Sequence, residues 1–398
     1  TYYLPTLLSI LSIFAIIYCS LEENMNKFLI TLATLVAFAL SGVAHADAKI
    51  SGFLQQIVGA GDEVDGGITY KFNRFAFAAD TTIDNGWTVG GSFAAEFGNM
   101  AAGGMSGYLP TSNSMYIQTD MATITIGATG DAVTMLVPRI GNMAPGGGHD
   151  AGYQFLFDGG AIASNGVNYA EAYYAMAANR INIALPSVNG FTVNASYTPD
   201  MGINSGSGIS RAAANATVSA SHGETTHVAV SYSGEMDGMS YTIGVGSING
   251  NSIGTNGTAA TSTNNDLSSI TGAIKVTMGN IAMGVHAFDN GDSWGQSEDA
   301  DKASHSGYTV MATYNMGNIT VGAGYAHEEK ALGTRGATSA QAGNLVAEDS
   351  ITILGIGYNM GGGVSTNLQL SNIDHTDGDH ATTEADPQVL FANISLGF

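Results

Sequence analysis

The stretch QVLFANISLGF (Gln388–Phe398) decides the fold. Laid out as an extended strand, it puts Leu390, Ala392, Ile394, Leu396 and Phe398 on one side. Asn393, Ser395 and Gly397 fall on the other, and the apolar row runs to the last residue. Successive side chains of a strand point to opposite faces, so such a segment separates two different environments. Val389 and Phe391 break the alternation at the far end, and that part is expected to pack against loops.

The same period of two recurs along the chain. Phe191, Val193, Ala195 and Tyr197 alternate with Thr192, Asn194, Ser196 and Thr198, and Val364, Thr366, Leu368 and Leu370 alternate with Ser365, Asn367, Gln369 and Ser371. Ile281 to Ala287 and Ile319 to Tyr325 behave alike. A β-sandwich would show this pattern too, so the connections carry the distinction. Short links such as Asp84-Asn85-Gly86, Ser187 to Gly190, Met278-Gly279-Asn280, Asn315 to Asn318 and Asn359 to Gly363 contain residues that tolerate positive φ. Between them lie long polar links, for example Asp200 to Glu224, Asn290 to His305 and Glu328 to Glu348.

Alternating long and short links describe an array of hairpins. Sixteen strands are expected, starting near Lys49, Gly67, Trp87, Ser112, Ala122, Asn179, Phe191, Thr225, Ser240, Ser268, Ile281, Gly307, Ile319, Asp349, Val364 and Pro387. For 211–221, strand and loop both fit. An even number brings the last strand beside the first, which closes the sheet and removes its edges. Tilted strands of about 9–11 residues span a bilayer. The fold class is therefore all-β: a 16-stranded antiparallel transmembrane β-barrel with short periplasmic turns, long outer loops, apolar side chains toward lipid and polar ones toward a lumen.

Composition agrees with a barrel. Charged residues are 11% of the 398, against about 25% in average soluble proteins, and 54 residues are glycine. Eleven basic residues face 33 acidic ones, a formal charge of -22. Nucleic-acid binding requires a basic stripe and is excluded, and an anionic membrane surface would repel the chain.

Residues 25–46, MNKFLITLATLVAFALSGVAHA, read as a signal peptide: Lys27, an apolar run from Phe28 to Leu40, then Ala44-His45-Ala46 as a cleavage site. Asp47 is the expected mature start, so the working unit is 47–398. Residues 1–24 read as upstream translation preceding Met25. Cys19 is the only cysteine, so the working unit has no disulfide, thiol nucleophile or thiolate metal site.

At this point the chain resembles the general diffusion porins of Gram-negative bacteria. The residues that carry the resemblance are AKISGF (48–53), NRFAFAADTTIDNGWTVGGSFAAEFG (73–98), ATITIGATGDA (122–132), NRINIALPSVNGFTVNASYTPD (179–200) and the closing ISLGF. The resemblance implies a homotrimer and a third long connection, about 128–178, that folds inward to narrow the pore. It places Asp131, Asp150, Asp158 and Glu171 on that loop with the single basic residue Arg139, facing wall arginines Arg74 and Arg180. It also implies that Phe398, with Leu396 and Ile394, forms the signature read by the barrel-assembly machinery. Family members often carry an arginine directly after the strand preceding this loop. Here that position is Ala128, and with ten basic residues in 47–398 the wall cluster is expected to be thin, leaving a constriction that is either weaker in charge or more negative.

Other motifs carry less. GNSIG (250–254) and GDSWG (291–295) match the G-x-S-x-G elbow, which needs a strand before and a helix after it, but both lie in glycine-rich stretches with no helical pattern following. No catalysis is expected. The histidines lack paired-ligand spacing; His286 should point into the lumen as a solvated side chain, and no metal site or cofactor is expected. Acidic clusters around Asp62, Asp289–Asp301, Glu328–Asp349 and Asp374–Asp386 should make a negative outer mouth that concentrates cations and holds divalent ions loosely. Tyr197, Tyr232, Tyr314, Tyr325 and Tyr358 fit an interfacial girdle against outer-membrane lipid as well as ordinary β-propensity. The expected function is a passive channel for ions and small hydrophilic solutes with a cation preference. Two alternatives are a structural or adhesive barrel with an occluded lumen and a secreted soluble β-sandwich.

Overall fold

The computed structural model describes residues 47–61, 64–69, 73–100, 105–148, 179–200, 222–252, 266–291, 293, 305–332, 345–377 and 388–398. The expected signal peptide, the upstream residues 1–24 and 211–221 lie outside them. So do Asp150, Asp158 and Glu171.

Strands run in chain order from β1 (Asp47–Gly61), β2 (Val64–Thr69), β3 (Asn73–Thr82), β4 (Thr88–Met100), β5 (Met105–Gln118) and β6 (Thr123–Ala128). One short helix, α1 (Ala132–Leu136), precedes β7 (Asn179–Ala184), β8 (Phe191–Asp200), β9 (His222–Met236) and β10 (Met239–Ser252). The rest are β11 (Leu267–Met278), β12 (Ile281–Asp289), β13 (His305–Met316), β14 (Ile319–Leu332), β15 (Leu345–Gly361), β16 (Val364–Asp377) and β17 (Gln388–Gly397). Both β2 and β3 pair with β1, through Ile57↔Thr69 and Phe53↔Arg74, so they are two segments of one strand. The remaining neighbours pair in sequence order, and β17 pairs with β1 from Phe53↔Gly397 to Gly61↔Val389. The result is a closed antiparallel barrel of sixteen strands.

Turn chemistry explains why the hairpins reverse where they do. Asp237 and Gly238 link β9 to β10 with φ of 52° and 78°, the two left-handed residues of a type I′ turn. The first two outer connections are tighter than the sequence suggests: only two positions separate Gly61 from Val64, and four separate Met100 from Met105. Strand pairing there continues through residues whose polarity resembles a loop.

The expected faces are observed. Leu390, Ile394 and Leu396 are exposed on the outside of β17, while Asn393 and Ser395 are buried on the inside. Val389 and Phe391 also point inward and are fully buried, joining an apolar cluster inside the barrel with Ile57, Ile353, Val133 and Ile140. Outward tyrosines line both ends of the wall. Tyr232 stands 4.6 Å from Phe191 and 5.8 Å from Tyr241 near the short turns, and Tyr308 and Tyr325 pair at 6.1 Å higher up.

Candidate functional site in the barrel lumen

The segment after β6 turns into the barrel. Gly127, with φ of 124°, makes the departure possible, since a Cβ there would collide with the Asn113 carbonyl. Asp131 then caps α1: one carboxylate oxygen accepts from the Thr134 amide at 2.8 Å, the other from the Thr134 hydroxyl at 2.8 Å. The wall contributes the rest. Arg180 Nη1 on β7 lies 3.2 Å from Asp131 Oδ2, and His227 Nδ1 on β9 lies 3.5 Å from Oδ1. The Ala132 amide donates to Ser196 Oγ on β8 at 3.1 Å. All three ionisable side chains are buried.

Burial alone would raise the Asp131 carboxyl. His227, Arg180 and the Thr134 amide outweigh it and hold the group well below the usual carboxylate range. Asp131 is therefore an anion throughout the ordinary pH range, and its partners stitch α1 to the wall.

Beyond α1 the chain continues along the inner wall. Val137, Ile140 and Ala144 are buried in the internal apolar cluster, with Leu136 and Met143 packed against it. Met135 is turned the other way, and its sulfur accepts from Asn182 Nδ2 at 3.1 Å. Gln369 Nε2 on β16 donates to the Gly148 carbonyl at 2.7 Å and ties down the far end of the segment. Beside Met143 and Pro145 a cavity of about 530 Å³ opens toward the short-turn rim, lined by polar groups of Thr320, Asn359, Ser365 and Asn367.

The structure brings Asp131 and Arg180 together, as a closed pair rather than as charges facing each other across open space. Arg139 is half-buried on the segment, and Arg74 is exposed on the lumen face of β3, opposite Phe53. Ile394, Leu396 and Phe398 sit on the outer face at the β1–β17 seam. His286 points inward as expected but is buried instead of solvated, with Nε2 2.7 Å from Thr271 Oγ1. His227, Ser196 and Gln369 are site residues that the sequence did not single out. Each is an ordinary inward position on a strand, and only the path of the loop gives it a role. A second buried chain links Ser269, Asn290, His305 and Glu328: Ser269 Oγ donates to Asn290 Oδ1 at 2.5 Å, Asn290 Nδ2 meets His305 Nδ1 at 2.9 Å, and His305 Nε2 meets Glu328 Oε2 at 3.3 Å.

A closed barrel with an apolar outer face, a polar-lined lumen and an inward-folded segment is a transmembrane β-barrel of the pore-forming class. The sequence model of the Gram-negative porins matches residues 31–378, and the chain belongs to that family. Its place is the outer membrane. Among solved structures, the anion-selective porin from Comamonas acidovorans is similar at 15% identity with a TM-score of 0.58, covering 89% of this chain and 100% of that one. OmpT of Vibrio cholerae in its trimer form is similar at 12% identity and 0.57, with 89% and 100% covered. A mutant of Rh. blastica porin follows at 15% and 0.52, with 88% and 100% covered. Curated proteins gave no sequence match.

Proposed function

We propose that this outer-membrane diffusion channel passes ions and small hydrophilic solutes with a preference for cations, and that it works as a homotrimer. The observation that carries the reading is the segment 131–148 laid along the inner wall of a closed barrel, beside a polar cavity. Selectivity does not follow from the fold, because an anion-selective porin shares it. Charge decides the sign here. The Asp131–Arg180 pair cancels one of few basic side chains, and the chain carries 33 acids against 11 bases. Loose divalent-cation binding at the acidic outer connections belongs to the same proposal, as does recognition of Phe398 by the assembly machinery. The trimer rests on likeness to OmpT, which forms one.

The test is a planar-bilayer recording of purified protein in a potassium chloride gradient. A steady current whose reversal potential has the cation sign is expected. The anion sign would overturn the selectivity, and a barrel that inserts without steady current would favour the occluded alternative.

A further inference from the structure

Four wall strands present glycine where the inward segment crosses them. Gly244 on β10 sits between the outward, exposed Ile243 and Val245, so its missing side chain faces the lumen. Gly284 on β12 lies likewise between Met283 and Val285, and Gly355 on β15 between Leu354 and Ile356. Gly322 on β14 pairs directly with Gly355 and shares its face. Glycine in a strand interior weakens the strand and commonly marks a place where another backbone approaches closely.

Here that backbone is on the page. A Cβ on Gly244 would stand 2.6 Å from the Leu136 carbonyl oxygen and 2.8 Å from Val137 Cα. One on Gly322 would stand 2.8 Å from Pro145 Cδ and 3.2 Å from Ala144 Cα. One on Gly355 would fall on the Pro145 carbonyl, and one on Gly284 on the tip of Ile140. Non-bonded carbons settle at about 3.5–4.0 Å, so added methyls would force the segment away from the wall. Ile140 can swing aside, but the carbonyls of Leu136 and Pro145 cannot move without their backbone. The outward-facing Gly272 on β11 differs, since its Cβ would meet only ordinary contacts, the nearest at 3.5 Å.

We propose that Gly244, Gly322 and Gly355, with Gly284 between them, form a seat that holds residues 136–145 flat on the wall and thereby sets the open width of the lumen. Asp131 and Gln369 fix the ends of the segment; the glycines fix its height. They are positioning residues, and the claim about width rests on the lumen conducting as proposed above.

Two measurements test it. Ala144 Cα and Thr313 Cγ2 both lie 3.2 Å from the point where a Gly322 Cβ would sit. An Ala144→Cys/Thr313→Cys protein, mature from Asp47 and so free of Cys19, should gain fluorescence with dibromobimane, which lights up on bridging two nearby thiols. Single-channel recordings of Gly244→Val and Gly355→Val should show conductance reduced roughly twofold as the segment lifts into the pore, with Gly272→Val unchanged. A dithiol protein that stays dark overturns the seat whether or not the valine variants fold. Valine variants with wild-type conductance overturn the control of width. Bimane labelling together with a wild-type protein that passes no current overturns the channel reading and, through it, the width claim, while the seat itself stands.

Discussion

Arg180 Nη1 and Asp131 Oδ2 lie 3.2 Å apart with both side chains fully buried. The resemblance to the diffusion porins places these residues facing each other across the narrowed pore. Their contact makes them an anchor instead, joining the first turn of the inward segment to β7. Removing one member of a buried pair strands the other charge, which costs about 3–5 kcal/mol. Asp131→Asn and Arg180→Met should therefore each free the start of the segment while leaving the barrel intact. Limited proteolysis of the folded protein should cut near residues 131–136 in the variants and spare the wild type, with the β-sheet circular dichroism unchanged.

The same pair defines a pH dependence. Asp131 is held below its unfolded value, so its contribution to stability is fully present above the ordinary carboxylate pKa of about 4. It is lost as the pH falls from there through the depressed folded value. The difference in protease resistance between wild type and Asp131→Asn should be constant from neutral pH to about pH 4 and shrink below it. A difference that already closes between pH 7 and 5 would contradict the depressed carboxyl.

The barrel was legible in the sequence because a strand between lipid and water must alternate, and because its reversals need residues of positive φ such as Gly238 and Gly279. Faces read from β17 alone agree with the structure down to the inward-turned Val389 and Phe391. The site was less legible. Asp131 and Arg180 stand out as charges in a chain poor in basic residues, but whether two charges oppose or touch depends on a path that no local pattern encodes. His227 and Gln369 look like any inward polar residue of their strands. The close-contact glycines were hidden by abundance, because 54 glycines give those under the segment no distinguishing mark.

At the seam, Phe398 lays its ring over Gly52, and the two exchange backbone hydrogen bonds of 2.8 and 3.0 Å. Phe75, opposite Gly52 in register, meets the Phe398 ring edge-on at 5.5 Å. Aromatic pairs of this kind contribute about 0.5–1.5 kcal/mol beyond their buried area. Gly52→Val should displace the ring, and Phe398→Ala should remove it. Both should lower the temperature at which the purified barrel loses its compact mobility in gel electrophoresis. Folding into detergent without assembly machinery separates this packing effect from any role of Phe398 as a recognition signal.

Pairing also decides which cations tune the current. Arg74 and Lys275 are exposed and face the lumen, the first opposite Phe53 and the second opposite Gly284. Fixed charges on a pore wall bias the local concentration of mobile ions of opposite sign. Arg180 already carries its counter-charge at 3.2 Å with both side chains buried, so its field in the lumen is largely cancelled. Arg74→Gln and Lys275→Gln should together raise the ratio of cation to anion permeability roughly twofold. Asp131→Asn combined with Arg180→Gln removes both charges and strands neither, so the segment should stay seated and that ratio should be unchanged. Reversal potentials of the two double variants, measured in the same salt gradient as the wild type, check both expectations. A large shift from removing the buried pair would show that Asp131 and Arg180 act on the pore as separate charges.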